Sequence, residues 1–239
     1  MQDSSSVERP TEHPTNTMTL SLYGLREWLG ATVICAVLCT IAFAIGAWWI
    51  TPVIFLAWIA LLLFFRDPLW RRPESMLEED LVCPADGHIS AVEHLDDHEA
   101  IGGPAVVVRI FLSVLDVHIN RAPCNGTVQE LRYRPGHHLD ARSEESAKVN
   151  ESNLIMMTRE DGTPIGIRQV SGAIARRIVC PLQPGDRLTR AARFGMIKFG
   201  STTELIVPDR GPEHTIVHVA KGDRVRGAIN TLVTLRDES

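Results

Sequence analysis

The chain lacks the cysteine patterns that indicate a disulfide framework or a zinc site. It has five cysteines, an odd number, and no two are spaced as a C-x-x-C pair. Cys35 and Cys39 lie inside an apolar run. Because structural disulfides and zinc sites need paired or clustered cysteines, we expect free thiols, a reducing compartment and no bound metal.

Charged residues are absent from Leu29 to Phe65. One membrane-spanning helix needs about 20 apolar residues, and this stretch as a single helix would measure roughly 55 Å against a hydrocarbon core of about 30 Å. Two shorter spans fit better, at about 29–46 and 51–65, with a break near Pro52 because proline ends or kinks a helix. A signal peptide is the alternative, but the run is too long for one. The sequence therefore predicts a transmembrane helical hairpin.

The membrane region, residues 18–72, ends with signals of its orientation. Arg66, Arg71 and Arg72 closely follow the second apolar segment, and positive residues tend to stay on the cytoplasmic side. We therefore expect attachment to the cell (inner) membrane, with the following domain on the cytoplasmic side. Residues 1–17 are polar and lack apolar periodicity, which predicts a disordered lead-in.

From residue 73 to 239 the composition becomes that of a soluble domain. Short apolar segments alternate with turns that contain Gly, Pro, Asn and Asp, the residues that tight turns require. This pattern predicts a mostly β (α+β) fold, with one compact β-rich domain after the helical hairpin. Segment 139–153 is polar and is expected to form a loop or a short exposed helix. The segments expected to be strands are 105–112, 127–133, 165–170, 174–180, 204–208, 214–219 and 230–235.

Two short segments combine residue types that acid–base chemistry uses. Asp86 lies in a Pro-Ala-Asp-Gly turn, and an aspartate before a glycine is most simply a turn former. Further on, Asp116, His118 and Asn120 share one face of an expected strand, with Arg121 on the other face. Histidine titrates near neutral pH. The second segment is therefore either part of a catalytic site or a structural network of satisfied polar groups.

The dipeptide Gly200-Ser201 interrupts FGMIKFGSTTELIVP, a stretch that is otherwise typical of two half-buried strands. Glycine permits strained backbone conformations, and a strained peptide bond followed by a hydroxyl can rearrange. Attack of the Ser201 hydroxyl on the Gly200 carbonyl gives an ester, which eliminates to dehydroalanine and hydrolyses to a pyruvoyl group. These steps would cut the chain between the two residues.

FGMIKFGS, together with PADG, DVHINRAP, ARRIVC and KGDRVRGA, resembles the phosphatidylserine decarboxylase proenzyme family, in its short form with an N-terminal membrane segment. The motifs occur in the expected order from about Pro84 to Ala228. The resemblance implies a zymogen that cuts itself autocatalytically into a β chain, residues 1–200, and an α chain, residues 201–239. The two chains would remain associated.

The resemblance also implies an activity. A carbon–carbon lyase of this kind converts phosphatidylserine to phosphatidylethanolamine and carbon dioxide in phospholipid biosynthesis. Its cofactor would be a covalent pyruvoyl group made from Ser201, which forms a Schiff base with the substrate amine. The expected partner is a membrane phospholipid, with no nucleic acid and with a homo-oligomer left open. The alternatives are a decarboxylase of another serine-containing lipid, a pyruvoyl enzyme for a free amino acid, and a non-enzymatic membrane-anchored β module.

The resemblance assigns roles to individual residues. Asp86 would belong to the triad for self-cleavage, and His118, with a pKa expected near neutrality, would donate the proton after decarboxylation. Longer family members have a second histidine where this chain has Arg121, so either His118 serves both steps or another histidine substitutes. Arg121, Asn120 and Lys198 are the candidate ligands of the substrate headgroup. The other histidines considered are His137, His138 and His214.

Overall fold

The computed structural model describes residues 19–140, 143, 145–173, 177–198 and 201–236. Strands account for 40% of the residues and helices for 21%, which confirms the predicted mostly β fold. The predicted lead-in and Gly200 lie outside the described residues.

Two apolar helices form the N-terminal part. A 3-10 turn, Leu22–Gly24, leads into helix α1, Leu25–Ala44. A second 3-10 turn, Trp48–Ile50, leads into helix α2, Thr51–Phe64. Pro52 lies in the first turn of α2, where its missing N–H removes no helical hydrogen bond. Both helices therefore lie close to the spans predicted from the apolar run.

The two helices run antiparallel and contact each other. The indole nitrogen of Trp58 in α2 donates to the hydroxyl of Thr32 in α1 at 3.0 Å. Outside the helices, Leu20 and Arg66 form an antiparallel β-bridge. The chain thus enters α1 and leaves α2 at the same end of the helix pair.

Length and composition make the first helix capable of crossing a membrane. From Leu22 to Ala44 its mean hydropathy is 1.9. The second helix, which is shorter, extends from Trp48 to Phe64 when its 3-10 turn is included. Large apolar side chains are exposed on both helices, among them Val33 and Leu56. Such a surface suits lipid better than water, while the crossing itself stays a prediction.

The β-rich domain follows the helix pair. A short helix, α3, at Ser146–Val149, lies between its fifth and sixth strands. In chain order the strands are β1 Asp80–Val82, β2 Gly87–His98, β3 Gly103–Leu112, β4 Ile119–Arg121, β5 Gly126–Arg134, β6 Ser152–Thr158, β7 Pro164–Val170, β8 Arg177–Val179, β9 Arg187–Leu188, β10 Arg193–Lys198, β11 Ser201–Pro208, β12 Thr215–Val217, β13 Arg224–Val225 and β14 Thr231–Leu235.

Within the described residues these strands form three antiparallel sheets. The large sheet has the order β13-β2-β3-β11-β7-β6-β5-β9, and the two small sheets have the orders β4-β10-β8 and β1-β14-β12. One main core joins them, since Leu205 of β11, Phe194 of β10 and Leu232 of β14 are all buried in it. Ile206 is buried in a separate cluster. Because strand side chains alternate, Ser201 and Thr203 point to the main-core face with Leu205.

Three local expectations are corrected by the structure. In segment 139–153 the expected short helix is present as α3, but its Ser146 and Ala147 are buried rather than exposed. Strands β10 and β11 are almost wholly buried rather than half-buried, because β11 lies in the middle of the large sheet. Asp116 and His118 both lie before β4, so Asn120 alone of the expected three is on a strand. Burial of this kind depends on neighbours that are distant in sequence.

The chain changes sheets at the expected cleavage position. Strand β10 ends at Lys198 in a small sheet, and β11 begins at Ser201 in the centre of the large sheet. Lys198 and Ser201 are three residues apart, and successive Cα atoms are separated by about 3.8 Å. The junction is therefore short, and different strands hold its two sides.

Candidate active site

Motifs that are far apart in sequence meet around the β10–β11 junction. Strand β10 lies between β4, from the DVHINRAP motif, and β8, from the ARRIVC motif. The backbone N–H of Arg121 donates to the carbonyl of Pro84 in the PADG turn at 2.9 Å. In that turn Asp86 Oδ1 accepts from the N–H of Gly227, in KGDRVRGA, at 2.9 Å. The motifs that carry the resemblance thus share one region of the fold.

Ser201 is fully buried at the start of β11. Its hydroxyl has no hydrogen-bond partner among the described residues. Leu112 of β3 pairs with it on one side. On the other side the pairing with β7 begins at Thr202 and Val170, one residue after Ser201 and one before Ser171. Buried hydroxyls are normally hydrogen-bonded. Within the described residues the Ser201 hydroxyl is an exception, and the absence of competing hydrogen bonds suits a nucleophile.

A hydrogen bond between two sheets connects the segment of His118 to the strand that begins with Ser201. Asn120 Nδ2 donates to Thr203 Oγ1 at 2.9 Å. Ser201 and Thr203 share one face of β11 because strand side chains alternate, and His118 lies two residues before Asn120, just outside β4. The N–H of Ile197 donates to the carbonyl of His118 at 3.2 Å, so β10 reaches the level of His118 just before the junction. His118 thus lies beside the end of the strand that precedes the expected cleavage position.

Asn120 is held at both ends of its amide. Its Oδ1 accepts from Gln169 Nε2 at 2.9 Å, and Gln169 Oε1 in turn accepts from Asn153 Nδ2 at 3.2 Å. All three side chains are buried. A satisfied buried network of this kind fixes one packing of the sheets. The role of Asn120 as a ligand of the substrate headgroup stays a prediction.

His118 is buried against the end of α2. The centroid of its ring lies 4.3 Å from that of Phe64, and Nδ1 donates to the carbonyl of Asp116 at 2.9 Å. Burial lowers the pKa of His118 to about 4. The charge of Arg66 also lowers this pKa, whereas the Asp116 carbonyl and the charges of Asp116 and Asp86 raise it. This pKa is lower than the near-neutral value expected from the sequence. The imidazole is therefore uncharged at pH 7. With its proton on Nδ1, Nε2 is the basic nitrogen.

Asp86 is paired with an arginine that the sequence did not connect to it. Arg71 Nη2 donates to Asp86 Oδ2 at 2.7 Å, and Nη1 donates both to Oδ1 and to the carbonyl of Gly227, the latter at 2.7 Å. The pair is largely buried. In the sequence Arg71 indicates only orientation in the membrane, and the pattern gives no signal for this contact. Asp86 therefore stands in a fixed ion pair, from which its charge also acts on His118.

The other two candidate headgroup ligands are held by the N-terminal region. Arg121 Nη2 donates to Asp67 Oδ1 at 2.7 Å. Lys198 Nζ pairs with the carboxylate of Glu27 in the first turn of α1. Arg121 and Lys198 are both buried. In the uncut chain these cations attach the helix pair to the domain, and their part in substrate binding stays a prediction.

Of the three alternative histidines, His138 lies nearest to the junction in the sheet register. Its Nδ1 is 3.1 Å from Ser171 Oγ, and Ser171 follows Val170, the residue that pairs with Thr202. His137 is exposed. His214 lies just before β12 in the β1-β14-β12 sheet. Spacing along the chain could not separate these three, because only the fold brings the loop before α3 to the end of β7.

The sequence is similar to one family model and to several known proteins. The family model described as phosphatidylserine decarboxylase matches residues 59–231. The phosphatidylserine decarboxylase proenzyme of Salinibacter ruber is 38% identical over 192 residues, 79% of this chain and 83% of the relative. The proenzyme of Symbiobacterium thermophilum is 40% identical over 199 residues, 83% of this chain and 87% of the relative. That of Carboxydothermus hydrogenoformans is 38% identical over 193 residues, 81% of this chain and 88% of the relative. The chain therefore belongs to the phosphatidylserine decarboxylase family.

Proposed function

We propose that the protein is a self-processing, pyruvoyl-dependent decarboxylase that converts phosphatidylserine to phosphatidylethanolamine and carbon dioxide at a membrane. The observation that carries the proposal is the buried Ser201 hydroxyl, which has no hydrogen-bond partner in the described part of the chain. Ser201 begins the strand whose Thr203 accepts from Asn120, two residues after the neutral His118. The names of the relatives, decarboxylase proenzymes, support both the substrate and the processing.

Ser201 supplies the nucleophile for self-cleavage. Its Oγ attacks the carbonyl carbon of Gly200 and gives its proton to a base, and the peptide C–N bond breaks as the ester C–O bond forms. Removal of the Ser201 α-proton expels the Gly200 carboxylate and leaves dehydroalanine. Addition of water and loss of ammonia then leave a pyruvoyl group at the start of the α chain.

His118 is the base that we assign to the first of these steps. A neutral imidazole with its proton on Nδ1 can accept the serine proton at Nε2, the division of roles found in Ser-His-Asp sites. Asp86 contributes a negative charge that raises the pKa of His118 and so favours this transfer. Arg71 fixes the position of that carboxylate.

The residues present fit a pyruvoyl group, because it would take the place of Ser201, whose hydroxyl has no competing partner among the described residues. When formed, the group supplies an electron sink for the electron pair released with carbon dioxide. We also assign to His118 the protonation of the product carbon; because its imidazole is neutral at pH 7, Nε2 must first take up a proton before it can donate one. Phe64 packs on the imidazole and keeps water from that face.

The two chains would stay associated through strand pairing. In the α chain, β11 lies between β3 and β7 of the β chain. Strand β13 also pairs with β2, and β14 with β1. None of these pairings includes the bond that is cut, so the sheets support a cleaved but assembled enzyme.

The helix pair would keep the domain where its lipid substrate resides. We assign the domain to the cytoplasmic side of the cell membrane, because Arg66 and Arg72 follow α2 closely. Arg71 adds less to this assignment than the sequence indicated, since its charge is neutralised by Asp86.

Mass spectrometry of the purified full-length protein, combined with a lipid assay, tests the proposal. We expect two chains, with an α chain whose first residue is blocked to Edman degradation. We also expect phosphatidylethanolamine to form from phosphatidylserine vesicles. A single uncut chain in an active preparation would overturn the processing. A cut protein that turns over only another serine-containing lipid would overturn the substrate.

A further inference from the structure

A turn next to His118 exposes two large apolar side chains. Leu115 is 82% exposed and Val114 is 45% exposed. Asp116 Oδ2 accepts from the backbone N–H of Ser113 at 2.9 Å and from its hydroxyl at 2.7 Å, which closes the base of the turn. We call residues 113–116 the apolar tip. Because its base is held by these bonds, the tip presents its apolar side chains outward in a defined position.

Arg66 ties the apolar tip to the last turn of α2. Its Nη1 donates to the carbonyl of Leu63 at 2.7 Å, and its Nη2 donates to the carbonyl of Leu115. One planar guanidinium has a fixed geometry. Both carbonyls therefore lie within reach of the same guanidinium, which keeps the apolar tip next to the end of α2. Leu63 is itself 55% exposed on an apolar helix. A lipid layer that reaches Leu63 thus also reaches the tip.

Two cations flank the apolar tip. Besides Arg66, Arg224 lies near it, with Nη2 3.5 Å from Asp116 Oδ1 and a side chain that is 69% exposed. Apolar side chains bordered by cations are the pattern of surfaces that enter the boundary between headgroups and acyl chains of anionic membranes.

We propose that the apolar tip is an interfacial lipid contact, in which Leu115 and Val114 enter the headgroup–acyl boundary of an anionic membrane beside the helix pair. The inference rests on the membrane location in the proposed function. It adds that the β-rich domain itself touches lipid. Because the carbonyl of Asp116 accepts from His118, the contact also lies directly beside the candidate catalytic histidine.

Photo-crosslinking tests the contact without using activity. The photoreactive residue p-benzoylphenylalanine replaces Leu115 in the full chain, reconstituted in vesicles of phosphatidylserine and phosphatidylcholine. The same replacement at Val33 of α1 is the positive control. Replacement of Leu95, 36% exposed, is the negative control, because its partner Ala105 lies about 23 Å along β3 from Leu112.

We expect lipid adducts at positions 115 and 33 and none at 95. Adducts at 33 but not at 115, or at 115 only with protein, would overturn the inference and leave the membrane location standing. No lipid adduct at 33 or 115 would overturn both. As a second measurement, Leu115→Asp should lose about tenfold more kcat/KM on vesicle phosphatidylserine than on dispersed short-chain phosphatidylserine. Equal losses on the two substrates would overturn the inference.

Discussion

Asn120 Nδ2 donates to Thr203 Oγ1 at 2.9 Å, and this bond joins the sheet next to His118 to the strand that begins with Ser201. Thr203→Val keeps the shape of the side chain and removes the acceptor, so a buried donor loses its partner. In the uncut Ser201→Ala background we expect the free energy of unfolding to fall by about 1–3 kcal/mol. In the chain with Ser201 intact we expect slower cutting.

Thr231→Val is the matched control for that experiment, because Thr231 Oγ1 has no hydrogen-bond partner among the described residues. Denaturant unfolding gives the stability, and a time course on denaturing gels gives the cutting rate. Equal stability and equal cutting rates in Thr203→Val and Thr231→Val would show that the Asn120–Thr203 bond does not position the residues at the cleavage site.

Ser201→Ala should give a folded but uncut chain without decarboxylase activity. The hydroxyl is buried without a partner in the described part of the chain, so its removal is expected to leave the melting temperature unchanged or slightly higher. Ser171→Ala is the control, since it removes a neighbouring buried hydroxyl and should still be cut. Any cutting of Ser201→Ala would remove Ser201 from the proposed role.

His118→Ala is expected to abolish detectable decarboxylation and to slow cutting by about two orders of magnitude, the usual size of a general-base contribution. His138→Ala should have a smaller effect, because its imidazole contacts Ser171 rather than Ser201. Cell-free synthesis followed over time measures cutting separately from turnover. If His118→Ala is cut normally and His138→Ala is not, the base is His138, and His118 acts only in decarboxylation.

The pKa of His118 also predicts a pH dependence of stability. This pKa is about 4 in the folded chain and 6.5 ordinarily. Between these values the unfolded chain binds a proton at His118 that the folded chain does not. The contribution of His118 to the free energy of unfolding is therefore fully present above pH 6.5 and is lost as the pH falls towards 4. We expect a loss on the order of 3 kcal/mol in the uncut chain. Denaturant unfolding should show this part of the slope missing in His118→Asn; identical slopes would contradict the buried neutral imidazole.

The ion pair between Lys198 and Glu27 connects α1 to the strand before the cut. Lys198 lies directly opposite Arg177 in β8. Loss of Glu27 therefore leaves Lys198 without its carboxylate partner and beside a second cation. Glu27→Lys should therefore slow cutting, and the double variant with Lys198→Glu should recover most of the rate. Arg26→Gln changes a neighbouring exposed charge and should have no effect. Failure of the double variant to recover would show that the pair does not act through its charge.

Local patterns in the sequence were enough to predict the main elements and to single out Gly200-Ser201 as the candidate cleavage site. The uncharged run predicted both helices and the break near Pro52, because apolar length and proline act locally. Alternating apolar segments predicted strands such as β3, β7 and β14 for the same reason. The motif around Ser201, together with PADG, DVHINRAP, ARRIVC and KGDRVRGA, identified the family, because each motif is a short pattern that can be read locally.

Other features were decided only by the tertiary structure. Phe64 covers His118 and Arg71 pairs with Asp86 because the end of the helix pair packs onto the domain, and no spacing in the chain reports such a contact. The pKa of His118 followed from that burial and not from the residue type. Lys198, a headgroup candidate by sequence, is paired with Glu27 in the uncut chain. Burial and ion pairing determine whether a polar side chain can react, stabilise the fold or contact lipid. Both depend on residues that are far apart in sequence.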